Sequence, residues 1–500
     1  MDGSFILPAI ILVPLIGAIL TLFMGGEKQK YARIVAFVFT LITLGLTAII
    51  MLGGDDLSQF DFSANWIDSA GLKMGLLFTV DGLSILMVFL TAVLEVIVVA
   101  FSYKEGDRPN YFFTLLLAIE VGLMGVYTAA DYFLFYIMWE VTLIPMYFMI
   151  SWYGGPRRHY SAIKFFIYTH VASLVMLLGI FIMVFTAGGN FDFAAVTDYM
   201  STNTDKWFQT AVFGLLFFGF IVKMPIVPFH TWLPDAHVEA PTGGSVLLAG
   251  VMLKMGSYGI IRICLENFKI GAVEWQWVMI ILGIISMIYG AYACIGQTDL
   301  KKMVAYSSIS HMGMVLLGIG CLSEIGIEFA VFQMFAHGLI TAILFMVCGL
   351  AGHNIGTREI PLLGGLATKM PKWAFFMMFG FMASLGLPGL VGFVAEFGIL
   401  YAFWEFIANT PQMWMLVFGM LSMMLTAGYY LWAMQRTLFG DLTTKIDFEH
   451  GVHGGPVHDI SKYEFAAMAI MIVLIAFFGI MPDYATRFIE GYVSMFAGVF

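Results

Sequence analysis

Runs of roughly 18 or more largely apolar residues recur almost from end to end of this chain, parted by short polar stretches. About fourteen such runs can be marked, near 4–23, 32–52, 82–102, 112–129, 131–152, 161–186, 207–228, 245–266, 275–296, 301–322, 328–350, 373–403, 413–438 and 464–483. As helices, each is long enough to cross a hydrocarbon core about 30 Å thick. Barrel strands would instead alternate in segments of about ten residues. The pattern therefore predicts an all-α polytopic membrane protein with about fourteen transmembrane helices. The first run has no basic flank and no A-x-A cleavage site, so it reads as a retained span rather than a signal peptide.

Composition sharpens the class. The chain has 500 residues, 61% hydrophobic and 11% charged, whereas soluble domains carry about 25% charged residues. A single integral membrane domain over 1–500 is expected, the longest loop lying near 439–463. Lys and Arg sort by loop. Those after odd-numbered runs hold Lys28, Lys30, Arg33, Lys104, Arg108, Arg157, Arg158, Lys164, Lys301, Lys302, Arg358, Lys369, Lys372, Arg436, Lys445 and Lys462. Loops after even-numbered runs are poor in bases and often acidic, as in "GGDDLSQFDFSANWIDSA". The positive-inside rule puts the basic set on the cytoplasmic or matrix side and both termini outside, as an even number of spans requires. The net charge of −10 adds little to this. Cys264, Cys294, Cys321 and Cys348 fall within or at the ends of spans without a CxxC pair, so buried core thiols are expected. Neither a Walker loop nor a GxGxxG fingerprint occurs, so no nucleotide, metal or redox centre is expected in the chain. Its predicted partners are the lipid bilayer and protons, not nucleic acid.

Candidate chemistry lies where charge interrupts the apolar runs. An ionisable group at the bilayer centre costs about 2.5–3.5 kcal/mol on the insertion scale and marks function by default. Glu140 is nine residues beyond Asp131, so about 14 Å into its span. Lys254 is nine residues beyond Ser245 and reaches the same depth from the other side. Glu120 is also deep, and Glu95 is a further candidate. Lys223, about 24 Å from Trp207, allows two readings. It is a snorkelling anchor, or an ammonium beside the carbonyls freed by Pro225 and Pro228.

A second break, Pro388, Gly389 and Gly392, precedes Glu396 within the long run 373–403. The two breaks fall on the seventh and twelfth spans, so the interrupted helices run in opposite directions. Broken helices at corresponding positions are the mark of inverted-repeat transporters. The expectation is two inverted five-helix repeats, spans 4–8 (111–266) and 9–13 (275–440), with peripheral N-terminal spans over 1–110. An inner loop and C-terminal span would fill 441–500. His311 and His337, both inside spans, are either interhelical hydrogen-bonding groups or relay members. For His230 and His237, in the inner loop, interfacial structure is the simpler expectation. A Lys223–Glu140 pair whose separation changes would switch proton release, because a neighbouring carboxylate holds a lysine's proton and its withdrawal frees it; the plain alternative is a static buried ion pair.

"HTWLPDAHVEAPTGGSVLLAGVMLKMGSYGIIRI" (230–263) resembles the signature of the antiporter-like membrane subunits of respiratory complex I. "AHVEAP", "MWEVTLIPMYFMI", "TDLKKMVAYSSISHMG" and "QMFAHGLITAILF" resemble chain M in particular, and the likeness runs from about 75 to 440. The resemblance implies a proton-translocating subunit of NADH-quinone oxidoreductase. Lys223 would be its pumping lysine and Glu140 the acidic partner, with Lys254 central, Glu396 the terminal exchange group, His311 and His337 relay positions, and Glu120 a further carboxylate. It also implies neighbouring antiporter-like chains in a membrane arm, here of a bacterial inner membrane. NADH, FMN, iron–sulfur clusters and quinone would then belong to other subunits. Relatives with the same constellation are subunits of multisubunit cation/proton antiporters, membrane-bound hydrogenases and a photosynthetic complex I relative.

Overall fold

The structure, a computed structural model, describes residues 3–54, 56–69, 71–103, 107–449 and 457–500; Lys104 of the basic loops lies outside them. Among the described residues, thirteen helices are long and apolar enough to cross a membrane, from Gly3–Leu22 to Lys462–Ile480. The remaining run, the twelfth, is two shorter helices, Pro371–Ser384 and Val391–Ile407, divided at the break that Pro388 and Gly389 announce. The seventh crossing is divided likewise: Lys206–Lys223 stops at the lysine, and the chain turns before the short helix Trp232–Glu239.

Helix starts fall where a capping side chain follows a polar stretch. Asp131 accepts from the Phe133 and Leu134 amides ahead of Tyr132–Tyr153, and Asp205 caps Lys206–Lys223 in the same way. Ser461 and Glu464 form a capping box before Lys462–Ile480. Such caps satisfy amide groups that the first helical turn leaves without partners.

Three crossings form the centre. Thr242–Leu265 is buried from Gly243 onward, and Leu300–Gly320 and the middle of Glu324–Ile355 nearly so. Ala32–Leu52 keeps Ile34, Val38, Leu41 and Ile49 on an outer apolar face, so it lies at the periphery. Thr242–Leu265 is not a regular α-helix: Leu248–Met252 and Ile260–Leu265 are π-helical turns on either side of Lys254. Such turns commonly sit at functional sites because they redirect carbonyls and side chains.

Three features were not announced by the apolar runs. The acidic loop after the second span folds as a hairpin, Phe62–Ser69 against Leu72–Phe78, reversing at Gly71 in the left-handed region (φ 84°). Short helices also form at Phe193–Thr202 and Asp483–Val493. The latter is held by Arg262, which pairs with Asp81 (2.5 Å) and Glu266 (3.1 Å), while Tyr492 donates to Glu266. Finally, Lys301 is not a loop base but a buried one, 2% exposed, donating to the Ala240 carbonyl at 2.5 Å.

Candidate functional site

Four ionisable side chains from four helices meet in the centre. Lys254 Nζ donates to the Ala249 carbonyl (2.5 Å) and contacts His337 Nδ1 (2.7 Å). The His337 ring lies 5.5 Å from that of His311, tilted by 56°. His311 Nδ1 is 3.3 Å from Glu396 Oε1, and its Nε2 is 3.2 Å from Ser384 Oγ. Ser384 donates to Tyr430 (2.9 Å), and Tyr430 to Ser307 (3.0 Å). Hydroxyls both donate and accept, so this three-member chain can reverse and meet His311 in either protonation state. His337 Nε2 has no hydrogen-bond partner, leaving it open on the side away from the lysine. Lys254 and the two histidines are 5% exposed or less, and Glu396 3%. Step by step, the arrangement can hand a proton from amine to imidazole to imidazole to carboxylate, one water or ring movement bridging the histidine gap.

Backbone devices hold these groups in place. After Ser384 the chain turns, and the Leu387 amide reaches back to the Met382 carbonyl (3.0 Å). Gly386 sits in the left-handed region (φ 83°), where a Cβ would come within 3.0 Å of Glu396 Oε2. Glycine adopts this conformation without strain and leaves the carboxylate its room. In Thr242–Leu265, a Cβ on Gly256 would meet the Phe220 carbonyl at 2.5 Å, so this glycine brings the helix of Lys254 against the end of the helix of Lys223.

The other half is arranged differently. Lys223 is 1% exposed, which removes the snorkelling reading. Its ammonium lies between the rings of Trp139 (5.6 Å) and Phe165 (5.7 Å) and has no hydrogen-bond partner. Glu140, its expected partner, is held elsewhere: it accepts from Ser173 Oγ and meets His170 Nδ1 at 3.0 Å. The Lys223–Glu140 contact is therefore open in this structure. The reason is local, because the span of His170 and Ser173 offers Glu140 two nearer polar groups. The break beside Lys223 is satisfied within protein. The Val227 amide donates to Ser286 (3.0 Å), and the Trp232 indole to the Val222 carbonyl (3.0 Å).

Glu120 does not join the chain of four. It is buried on Pro109–Thr128 and interacts electrostatically with Glu95 of Ser84–Phe101. The Glu95 oxygens have no hydrogen-bond partner; Thr43 lies toward Glu120, but its hydroxyl donates to Phe39 (3.1 Å). His237 departs from the expected interfacial role. It is 0% exposed, stacked on Phe345 at 4.5 Å, with both ring nitrogens unpartnered. Burial, then the Lys301 and Lys254 ammonium groups, hold its ring well below the usual histidine range. His230 packs against Tyr289 (4.8 Å), and burial and then Lys164 lower it too. A cavity of about 570 Å³ opens at the end of the bundle that carries the basic loops, lined by Gly154, Glu239, Ala240, Lys301 and Arg358.

Sequence reasoning selected Lys254, His337, His311 and Glu396, and the fold brings them together. It missed His170 and Ser173. The signal was present, because His170 in "IYTHVASLV" interrupts an apolar run as His311 and His337 do. It also missed Arg262, whose partners Asp81 and Glu266 sit at span ends.

Known proteins share this arrangement of helices. Residues 129–426 match the family described as NADH:quinone oxidoreductase/Mrp antiporter, transmembrane. The chain is 41% identical to F(420)H(2) dehydrogenase subunit M of Methanosarcina mazei, over 98% of each chain. It is 36% identical to NADH-quinone oxidoreductase subunit M of Escherichia coli, over 96% of this chain and 95% of that one. Among solved structures, respiratory complex I from Thermus thermophilus contains a chain that superposes with a TM-score of 0.87 at 26% identity, 99% of each chain being covered. A chain of the Mrp complex from a Dietzia species shares the fold, with a TM-score of 0.85 at 20% identity and 99% of each covered. An integral membrane protein matched to one family over most of its central helices, the chain belongs to the NADH:quinone oxidoreductase/Mrp antiporter transmembrane family.

Proposed function

We propose that this chain is a proton-translocating membrane subunit of a respiratory complex of the NADH-quinone oxidoreductase type, moving protons through Lys254, His337, His311 and Glu396. The observation that carries this reading is the buried succession of contacts between those four groups. The relatives named NADH-quinone oxidoreductase subunit M, matched over nearly their full length, support it. The complex as a whole is a translocase; redox chemistry and its cofactors are assigned to other subunits.

Lys223 and Glu140 form the second working pair in this reading. A lysine holds its proton more firmly with a carboxylate beside it and releases it as the carboxylate withdraws. Glu140 can alternate between Lys223 and the His170–Ser173 pair, and the present geometry is the withdrawn arrangement. The His170 side chain is 36% exposed and that of Glu140 20%, although both lie midway along their spans. Lipid is a poor neighbour for such groups. We assign this face to contact with another membrane-arm subunit, an antiporter-like chain among the candidates. The basic loops are assigned to the cytoplasmic side of a cell membrane and both termini to the opposite side.

A subunit of an Mrp-type antiporter or of a membrane-bound hydrogenase would use the same groups, and the fold shared with chains of the Mrp complex and of a membrane-bound sulfane sulfur reductase keeps such readings open. The relative from Methanosarcina mazei favours a second reading of the electron donor, F(420)H(2) in place of NADH. The test is proton uptake into vesicles carrying the assembled complex, driven by NADH or F(420)H(2) in turn. Uptake with either donor that is lost in Lys254→Ala, Lys223→Ala and Glu140→Ala supports the reading. Normal pumping and turnover in these variants would refute the residue assignment, and uptake with neither donor would favour an antiporter.

A further inference from the structure

A small apolar cavity of about 250 Å³ lies apart from the relay, at the end of the bundle that carries the basic loops. Its walls come from three helices that belong to different parts of the chain. Ile34 and Phe37 lie on Ala32–Leu52, Val99 and Ala100 on Ser84–Phe101, and Tyr463 on Lys462–Ile480. At the rim, Arg33 is fixed: one nitrogen donates to the Tyr103 carbonyl (3.0 Å), and its guanidinium lies 5.6 Å from the Tyr103 ring. Tyr103 in turn packs on Tyr463 at 4.9 Å. A guanidinium has five N–H donors, so Arg33 keeps most of them for a ligand. Lys28 and Lys30 precede it by less than two turns, in Gly26–Tyr31.

We propose that this cavity binds one anionic phospholipid, with its phosphate on Arg33 and the start of an acyl chain between Phe37, Val99 and Ala100. Three observations select that occupant. The cavity is apolar within and basic only at its mouth, which matches a molecule with a charged head and a hydrocarbon tail. The mouth stands beside phenol rings, and tyrosines at the ends of spans favour the headgroup level of a bilayer. The outer face of Ala32–Leu52, with Ile34 and Val38 about half exposed, is continuous with it and suits acyl chains. Basic residues at this level prefer anionic lipid headgroups to zwitterionic ones, and a planar guanidinium matches phosphate geometry. The lipid would wedge the peripheral Ala32–Leu52 and Lys462–Ile480 helices against Ser84–Phe101.

The experiment uses the assembled complex in mixed vesicles of phosphatidylcholine with a photoactivatable phosphatidylglycerol, followed by peptide mapping. Saturable labelling is expected in the segments around 33–37 and 99–103, displaced by unlabelled phosphatidylglycerol but not by phosphatidylcholine. Arg33→Gln should weaken retention about fivefold, and Arg33→Lys should restore part of it. Ala100→Trp, which fills the cavity, should abolish labelling while leaving the relay untouched, and proton uptake reports that the complex is assembled. Equal displacement by phosphatidylcholine, or labelling that Arg33→Gln and Ala100→Trp leave unchanged, would overturn the proposal.

Discussion

Lys223 and Lys254 are both buried lysines on consecutive crossings, yet their ammonium groups meet opposite surroundings. Lys254 has a carbonyl at 2.5 Å and an imidazole at 2.7 Å, and a succession of groups leads from it to Glu396. Lys223 has two aromatic faces and no acceptor, its nearest natural partner being turned toward His170 and Ser173. A buried polar group without a partner is costly, so Lys223 stands where a small rearrangement changes its energy most. Lys254 stands within a continuous succession of polar contacts. In the proposed reading, one half of the bundle serves as a conduit and the other as a contact that Glu140 makes or releases.

Breaking the conduit should have the largest effect. Lys254→Met removes the group that links Thr242–Leu265 to His337, and donor-driven proton uptake by the assembled complex is expected to fall about tenfold or more. Unchanged uptake would reduce the lysine to a packing element. Glu396→Gln keeps the shape and removes the charge, and a similar loss is expected in the same vesicles.

Locking the contact should cost less. With Glu140→Gln, Lys223 loses the only carboxylate assigned to it, and uptake should drop about fivefold. His170→Gln alone should lower uptake by about twofold. In a double-mutant cycle with Glu140→Gln the two losses should fail to add, because both act on one carboxylate. Full additivity would mean that His170 has no part in holding Glu140.

The smallest effect sharpens how the conduit is held. Gly386→Ala forces a Cβ toward Glu396 into a backbone conformation suited to glycine. A cost of about 1–2 kcal/mol is expected. Thermal unfolding of the complex would record it as a lower midpoint, with proton uptake reduced less than in Glu396→Gln. An unaltered midpoint would show that the broken segment adjusts freely.

Much of the fold was legible because membrane helices write themselves as long apolar runs, and because prolines and glycines mark where such runs must break. Lys254 stood out by its depth, and Glu396 by the break that precedes it. The Phe62–Ser69 hairpin was hidden in a loop whose acidic residues drew attention away from its alternation. The π-turns flanking Lys254 leave no mark in composition, since they arise from how that helix packs. His170 was legible and overlooked, and Lys301 was counted with the loops because two adjacent lysines at a span end look solvated.

The sequence by itself determined the number of crossings, the two broken helices and the set of ionisable groups that have no place in lipid. Transfer free energy and backbone hydrogen bonding decide those, and both are local along the chain. Which groups touch was decided only by tertiary structure. Lys254 meets His337 while Lys223 does not meet Glu140, because a side chain pairs with whatever polar group its neighbouring helices bring closest. That choice depends on the packing of spans far apart in sequence: Gly256 against Phe220, Gly386 over Glu396, and the His170 helix beside Glu140.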